Sequence, residues 1–233
     1  MNKNNDNYIP WVEKYRPENI NDIILEDNNK SLIFNMLRDK IYPNLLLYGP
    51  PGTGKTTTII NIINSIYPNE INKTIILHLN ASDERGIDMI RNQIQKFIAT
   101  KPLFNNKIKF IILDEVDYMT KSAQIALKYL LQQYNTTNLV FYLMCNYISK
   151  IDESLKNEFI ELKFYKTPKI KILDFLQNIV QNEKLSITNE SLNEIQEYFD
   201  SDIRSMINYM QLNFDNDLTV SMLNNNHMNE LHD

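Results

Sequence analysis

The stretch that most constrains this chain is Gly49-Pro50-Pro51-Gly52-Thr53-Gly54-Lys55-Thr56-Thr57. The apolar run Leu45-Leu46-Leu47-Tyr48 precedes it, and an isoleucine-rich segment of helical character follows. Strand, glycine loop, helix is the order that a phosphate-binding loop requires. Gly49, Gly52 and Gly54 can adopt backbone angles closed to other residues, so successive N–H groups can turn inward around a polyphosphate. The start of the following helix adds partial positive charge. Lys55 carries a full charge toward β- and γ-phosphates, and the Thr56 hydroxyl is suited to ligate Mg²⁺. An ordinary Gly/Pro turn is the competing reading, and the full spacing with both flanking elements argues against it. Only one glycine, Gly86, lies outside this loop, so three within it are informative.

A second constellation lies about sixty residues on, where the apolar strand Ile108–Leu113 runs into Asp114-Glu115-Val116-Asp117. Paired carboxylates at a strand exit are usually a solvated end. Downstream of a phosphate loop they become the other half of an ATPase site. Asp114 would hold Mg²⁺ directly or through water, and Glu115 would orient and activate the attacking water.

The remaining strands are expected at Asn44–Tyr48, Thr74–Asn80, Leu139–Cys145 and Ile160–Phe164, with helices at Ser31–Lys40, Thr56–Ile66 and Met119–Tyr134. A further helix follows residue 86, with Ile87, Ile90, Ile94, Phe97 and Ile98 as its buried stripe and Arg91 at the stripe's edge. Apolar strands alternating with helices mean a parallel sheet, here five-stranded, covered on both faces. Its C-terminal edge then gathers the glycine loop and the carboxylates. Asn146, at the exit of the fourth strand, could sense a γ-phosphate if that strand lies between the first and third. Otherwise it is a turn asparagine. His78 is expected as a packed strand residue and not as a ligand.

Pro10-Trp11-Val12-Glu13-Lys14-Tyr15-Arg16-Pro17 holds the chain's one tryptophan, and its two prolines argue for an extended segment. It reads equally as an arm tucked down by Trp11 or as a lid over a planar base. From Thr167 the pattern turns helical, with starts at Thr167-Pro168, near Thr188 and near Ser201. The expected organisation is a lead-in at 1–9, a nucleotide-binding domain at 10–166, a helical lid domain at 167–225 and a frayed tail at 226–233.

A formal net charge of −5 does not suit a general polyanion binder, so any nucleic-acid contact must come from a local basic patch. The single cysteine, Cys145, excludes a disulfide within the chain and fits a reducing compartment. No window has the apolar length of a membrane span, which gives an expectation of a soluble intracellular protein with no membrane partner. The abundance of Asn, Ile and Lys points to A+T-rich coding, a property of the genome and not of the function.

Residues 10–17 (PWVEKYRP), 45–57 (LLLYGPPGTGKTT), 79–88 (LNASDERGID), 112–127 (ILDEVDYMTKSAQIAL), 145–151 (CNYISKI) and 201–204 (SDIR) together resemble the small subunits of replication factor C. These are AAA+ ATPases that load sliding clamps onto primer–template DNA. The resemblance is collinear from residue 10 to about 215, and the first and third of these runs are its most specific. It implies an AAA+ domain with a helical lid, ATP and Mg²⁺ as cofactors, and other clamp-loader subunits, a sliding clamp and primer–template DNA as partners. It also implies a nuclear location, or a viral replication compartment.

At matching positions the resemblance implies that Val12, Arg16 and Ile24 line the adenine pocket. Asn146 would be the first sensor and Arg204 the second, though the family usually has Gly-Asp-Leu-Arg where Ser201 begins the run here. Arg85, Arg91 and Lys150 would contact template-strand phosphates, and Phe97–Asn105, with Phe104 as anchor, would face the clamp. Three cations suffice when several subunits each contribute.

Two departures stand out. The family carries Ser-Arg-Cys before its fifth strand, the arginine being a finger inserted into a neighbour's ATP site, whereas Asn157-Glu158-Phe159 stands here. A carboxylate would repel the charge that builds on a transferring phosphoryl group. The family also has a third, helical collar domain that holds its ring together, and this sequence stops after the lid. The leading expectation is therefore an ATP-hydrolysing clamp-loader subunit that needs a partner's finger. The alternatives are a non-catalytic ATP-binding subunit or another AAA+ remodeller.

Overall fold

The computed structural model describes residues 9–68, 75–82, 87–100, 107–134, 138–200 and 202–213. They form two compact units, one spanning 19–165 and the other combining the N-terminal residues through Glu18 with those from Lys166 onward.

The larger unit is built on five parallel strands: β1 (Leu45–Tyr48), β2 (Ile76–Asn80), β3 (Lys109–Asp114), β4 (Leu139–Cys145) and β5 (Ile160–Lys163), in the order β2-β3-β4-β1-β5. The central strands are buried at nearly every position, as a sheet covered on both sides demands. Alternate residues feed two cores. Leu46, Ile111, Leu113, Phe141 and Leu143 face α4 (Ile87–Ala99) and α5 (Lys121–Gln133). Leu45, Leu47, Phe110, Ile112, Tyr142 and Met144 face α2 (Asp27–Asp39) and α3 (Lys55–Ile66). The expected stripe of α4 is found at Ile90, Ile94 and Phe97, which are buried, while Arg91 is exposed. β4 lies between β3 and β1, the arrangement that brings Asn146 beside the carboxylates.

Lys109 opens β3 with its charge in the interior. Its Nζ donates to the carbonyls of Phe97 (2.6 Å), Ile98 (3.3 Å) and Thr100, closing the C-terminal end of α4. Burial lowers its pKa, and the acceptors replace the water it has lost.

The smaller unit contains α1 (Trp11–Lys14), α7 (Lys169–Glu183), α8 (Asn189–Tyr198) and α9 (Ile203–Leu212). Trp11 is buried among Ile172, Leu176, Ile179, Leu192, Ile195, Met206, Ile207 and Met210. Its backbone N–H donates to Gln211 Oε1 at 3.0 Å, and Lys14 Nζ meets Glu183 Oε1 at 2.6 Å.

Three sequence expectations change. Residues 11–14 are helical, not extended: one turn fits between Pro10 and Pro17, with Pro10 as N-cap at the position where a missing N–H does no harm. Those residues group with the C-terminal helices, where Trp11 finds its apolar surroundings. His78 is exposed: β2 is an edge strand, and only Leu79 of its residues is buried. Pro168 is the N-cap of α7, which begins at Lys169, whereas α8 and α9 are capped by Thr188 and Asp202 side chains. The expected lead-in (but for residue 9), residues 214–225 and the expected tail lie outside the described residues. Among those described, no helix is long and apolar enough to cross a membrane.

Candidate active site

The glycine loop leaves β1 at Gly49, whose φ is +144°. A Cβ at that position would stand 2.1 Å from the Phe164 carbonyl oxygen, so the sheet itself admits only glycine. Gly52 (φ 73°) and Gly54 (φ 90°) complete the turn, and Gly54 is the N-cap of α3. Thr53 Oγ1 donates to the Pro50 carbonyl at 2.8 Å, bracing the loop from inside, while Pro51 is exposed. The amides of Lys55, Thr56 and Thr57 open the helix, where N–H groups have no acceptor within it. Thr56 and Thr57 are half-buried.

Lys55 is buried under the loop. Its Nζ donates to Gly49 O (2.8 Å), Pro50 O (2.9 Å) and Asn146 Oδ1 (3.0 Å). The loop lysine and Asn146 are thus in direct contact.

Asp114 ends β3 and its Oδ1 accepts the Glu115 N–H at 2.8 Å. Burial pushes the Asp114 carboxyl above its ordinary range, against the pull of that hydrogen bond and of the charges of His78 and Lys55. A carboxylate partly stripped of water in this way is suited to a cation, so Asp114 and Thr56 fit the Mg²⁺ expected here. Glu115 sits in the left-handed region at φ 55°, a conformation uncommon for residues other than glycine and concentrated at functional sites. The Cys145 thiol lies in the floor of the site, and burial pushes it up to about 12.

Ile24 is half-buried, and its neighbour Ile23 is the residue whose Cγ2 would meet a Cβ on Gly54 at 3.8 Å. Val12, Arg16 and Arg204, expected at the adenine and as second sensor, belong to the helical unit. Within it Val12 packs half-buried against the Trp11 cluster, Arg16 pairs with Glu13 at 2.9 Å, and Arg204 is an exposed residue in the first turn of α9. Lys150 is exposed, as is Arg91, whereas Arg85, Phe104 and Ser201 lie outside the described residues. Glu158, where the resemblance leads one to expect a finger arginine, accepts from Gln132 Nε2 at 2.7 Å.

Two buried polar residues escaped the sequence reading. Asp117 accepts the Tyr147 N–H at 3.2 Å. Gln124 donates to the Met119 and Lys150 carbonyls (3.2 and 3.0 Å) and accepts the Asp152 N–H at 2.7 Å. Together they pin both ends of the turn that begins at Asn146. Gln124 falls in the helical pattern of α5 as one more polar residue, and nothing in its spacing marks it as buried.

A glycine loop, a buried lysine and paired carboxylates at the C-terminal edge of a β2-β3-β4-β1-β5 parallel sheet define a P-loop nucleotide-binding domain. The profile of the ATPase family associated with various cellular activities (AAA) matches residues 45–167, and the chain belongs to that family. It is similar to replication factor C subunit 5 of Homo sapiens, 38% identical over 203 residues, covering 87% of this chain and 59% of the relative. Replication factor C subunit 3 of Schizosaccharomyces pombe is 38% identical over 204 residues, with 87% and 59% covered. The replication factor C small subunit of Sulfurisphaera tokodaii is 38% identical over 203 residues, with 87% and 62% covered. The chain thus spans about three-fifths of the length of these relatives. In fold it is similar to the Thermotoga maritima RuvB Holliday junction branch migration motor, with a TM-score of 0.65 at 16% identity, covering 84% of this chain and 63% of that one.

Proposed function

We propose that this chain is an ATP-binding and ATP-hydrolysing subunit of a clamp loader, a complex that opens a sliding clamp and places it on primer–template DNA. The observation that carries the reading is the contact of Lys55 with Asn146 on the strand next to Asp114, in a chain 38% identical to replication factor C subunits. Mg²⁺, when bound, supplies charge neutralisation between the β- and γ-phosphates of ATP.

Each residue then has a task. The loop amides from Gly52 to Thr57 hold phosphate oxygens, and Lys55 exchanges loop carbonyls for phosphate. Thr56 and Asp114 would hold the metal. Glu115 orients the attacking water and takes its proton, while Asn146 fixes that water's position against the γ-phosphate. For Val12, Arg16, Ile24 and Arg204 the proposed roles toward the nucleotide rest on the resemblance to replication factor C small subunits. Arg85, Arg91 and Lys150 meet DNA phosphates, contacts that carry affinity without sequence information.

Glu158 bears on a neighbour's site and not on this one. Held by Gln132 and negatively charged, it offers no stabilisation to a phosphoryl group across an interface. This chain therefore hydrolyses ATP with a finger from a partner and supplies none in return. A non-catalytic, ATP-holding subunit is the second reading. ATP turnover by Lys55→Ala and Glu115→Gln variants in the assembled complex separates the two. Loss of part of the complex's turnover in both variants supports hydrolysis at this site, and unchanged turnover with ATP still bound by wild type supports the second reading.

A further inference from the structure

Tyr118 and Tyr147 follow the buried strands β3 and β4, yet they are 61% and 60% exposed. The Lys150 ammonium stands 5.4 Å from the centre of the Tyr118 ring and 5.0 Å from that of Tyr147. A single exposed cation–ring contact is worth only about 0.5–1 kcal/mol, so neither ring is needed here to hold up the fold. Most of each ring faces outward, with a positive charge fixed between them.

The backbone beneath this trio is fixed. The Tyr147 N–H donates to Asp117, which is 5% exposed, and the Lys150 N–H donates to the Tyr147 carbonyl at 3.1 Å. Gln124 holds the Lys150 carbonyl, and the Tyr118 N–H donates to the Glu115 carbonyl at 3.0 Å. Aromatic faces and a cation are therefore presented together without ordering a loop, which is how preorganised surfaces gain affinity.

We propose that Tyr118, Lys150 and Tyr147 form a stacking platform for the unpaired bases of a single-stranded nucleic acid, with the Lys150 ammonium on a flanking phosphate. The proposal rests on the DNA-binding reading above and adds base contact to it. A cation alone would serve for phosphates. Two outward rings serve a base, whose faces in a duplex are already covered by its neighbours. Recognition would be indifferent to sequence, since every base has a π-face.

The test is binding of a fluorescein-labelled single-stranded oligonucleotide, and of a blunt duplex of the same sequence, to the full chain across a salt series. The paired substitution Tyr118→Ala/Tyr147→Ala should weaken single-strand binding roughly ten-fold or more. It should leave duplex binding and the salt slope as they are, and Tyr118→Phe/Tyr147→Phe should restore single-strand binding. Lys150→Ala should weaken both forms and reduce the salt slope by about one. Single-strand binding unchanged in the alanine pair, or left unrestored by the phenylalanine pair, overturns the platform while the phosphate reading stands. A wild-type chain that binds neither form brings down both.

Discussion

Lys55 Nζ and Asn146 Oδ1 lie 3.0 Å apart although 91 residues separate them in sequence. Lys55 comes from the loop after β1 and Asn146 from the exit of β4, and the pairing of those strands (Leu45 with Tyr142 through Tyr48 with Cys145) sets the contact. Asn146→Ala should lower ATP turnover by about 10², the scale of losing one aligned donor in a catalytic site. ATP affinity should change far less, because Lys55 and the loop amides still meet the phosphates. Steady-state kinetics beside equilibrium nucleotide binding check this, and equal losses in both would assign Asn146 to binding alone.

Gly49 and Gly54 share a positive φ but differ in surroundings. A side chain at Gly49 would strike the Phe164 carbonyl at 2.1 Å, whereas one at Gly54 meets only Ile23 Cγ2 at 3.8 Å. Gly54→Ala should cost about 1–2 kcal/mol, the left-handed penalty alone. Gly49→Ala should cost several times more, since β1 and the chain after β5 must separate. Thermal denaturation of the two variants without nucleotide measures the difference.

Asp114 destabilises the chain that it equips for metal. Its folded pKa is raised by burial, so between the unfolded value of 3.8 and the folded value the folded chain holds more protons. Stability therefore falls as pH rises through that window, and the deficit persists at neutral pH. Asp114→Asn should raise the melting temperature of the nucleotide-free chain at pH 7, by roughly 2–4 °C for each kcal/mol recovered. The gain should vanish below the unfolded pKa, and Mg²⁺-dependent nucleotide binding should be lost. A variant no more stable at pH 7 than wild type contradicts this.

Glu158 offers a gain-of-function test. Glu158→Arg, with Asn157→Ser and Phe159→Cys, breaks the Gln132 contact and places a cation on that surface. In an assembled complex, ATP turnover should rise if this face borders a neighbour's site, and an arginine finger can be worth about 10³ or more. A rate that stays the same would mean that another cation already serves or that no ATP site lies on this side.

Much of the sheet unit was legible because its signals are local. The uninterrupted apolar runs of β1, β3 and β4 could only be buried strands, and the loop spacing announced its own turn. The position of Asn146 was conditional on strand order, which no single segment encodes, and the β2-β3-β4-β1-β5 order resolved it. His78 was misread because edge and central strands look alike in a five-residue window, and exposure depends on which neighbours pair. The surroundings of Trp11 were hidden for a related reason: prolines at 10 and 17 are visible, but the cluster of Ile172, Leu192 and Met210 that receives the ring lies far along the chain. The burial of Gln124, Asp117 and Lys109 was not legible. Each is a polar residue whose burial is made tolerable by acceptors or donors from distant segments, and polarity alone argues for the surface.

Hydrolysis of ATP by the purified chain, alone, with primer–template DNA, and mixed with a replication factor C subunit that carries an arginine finger, tests the central claim most directly. If the loop, Asp114, Glu115 and Asn146 form one hydrolytic site, the chain alone binds ATP and turns it over slowly. Its rate then rises with the partner and DNA, and Lys55→Ala abolishes that rise. Failure of the chain to bind ATP, or a Lys55→Ala variant as active as wild type in the mixture, would contradict it.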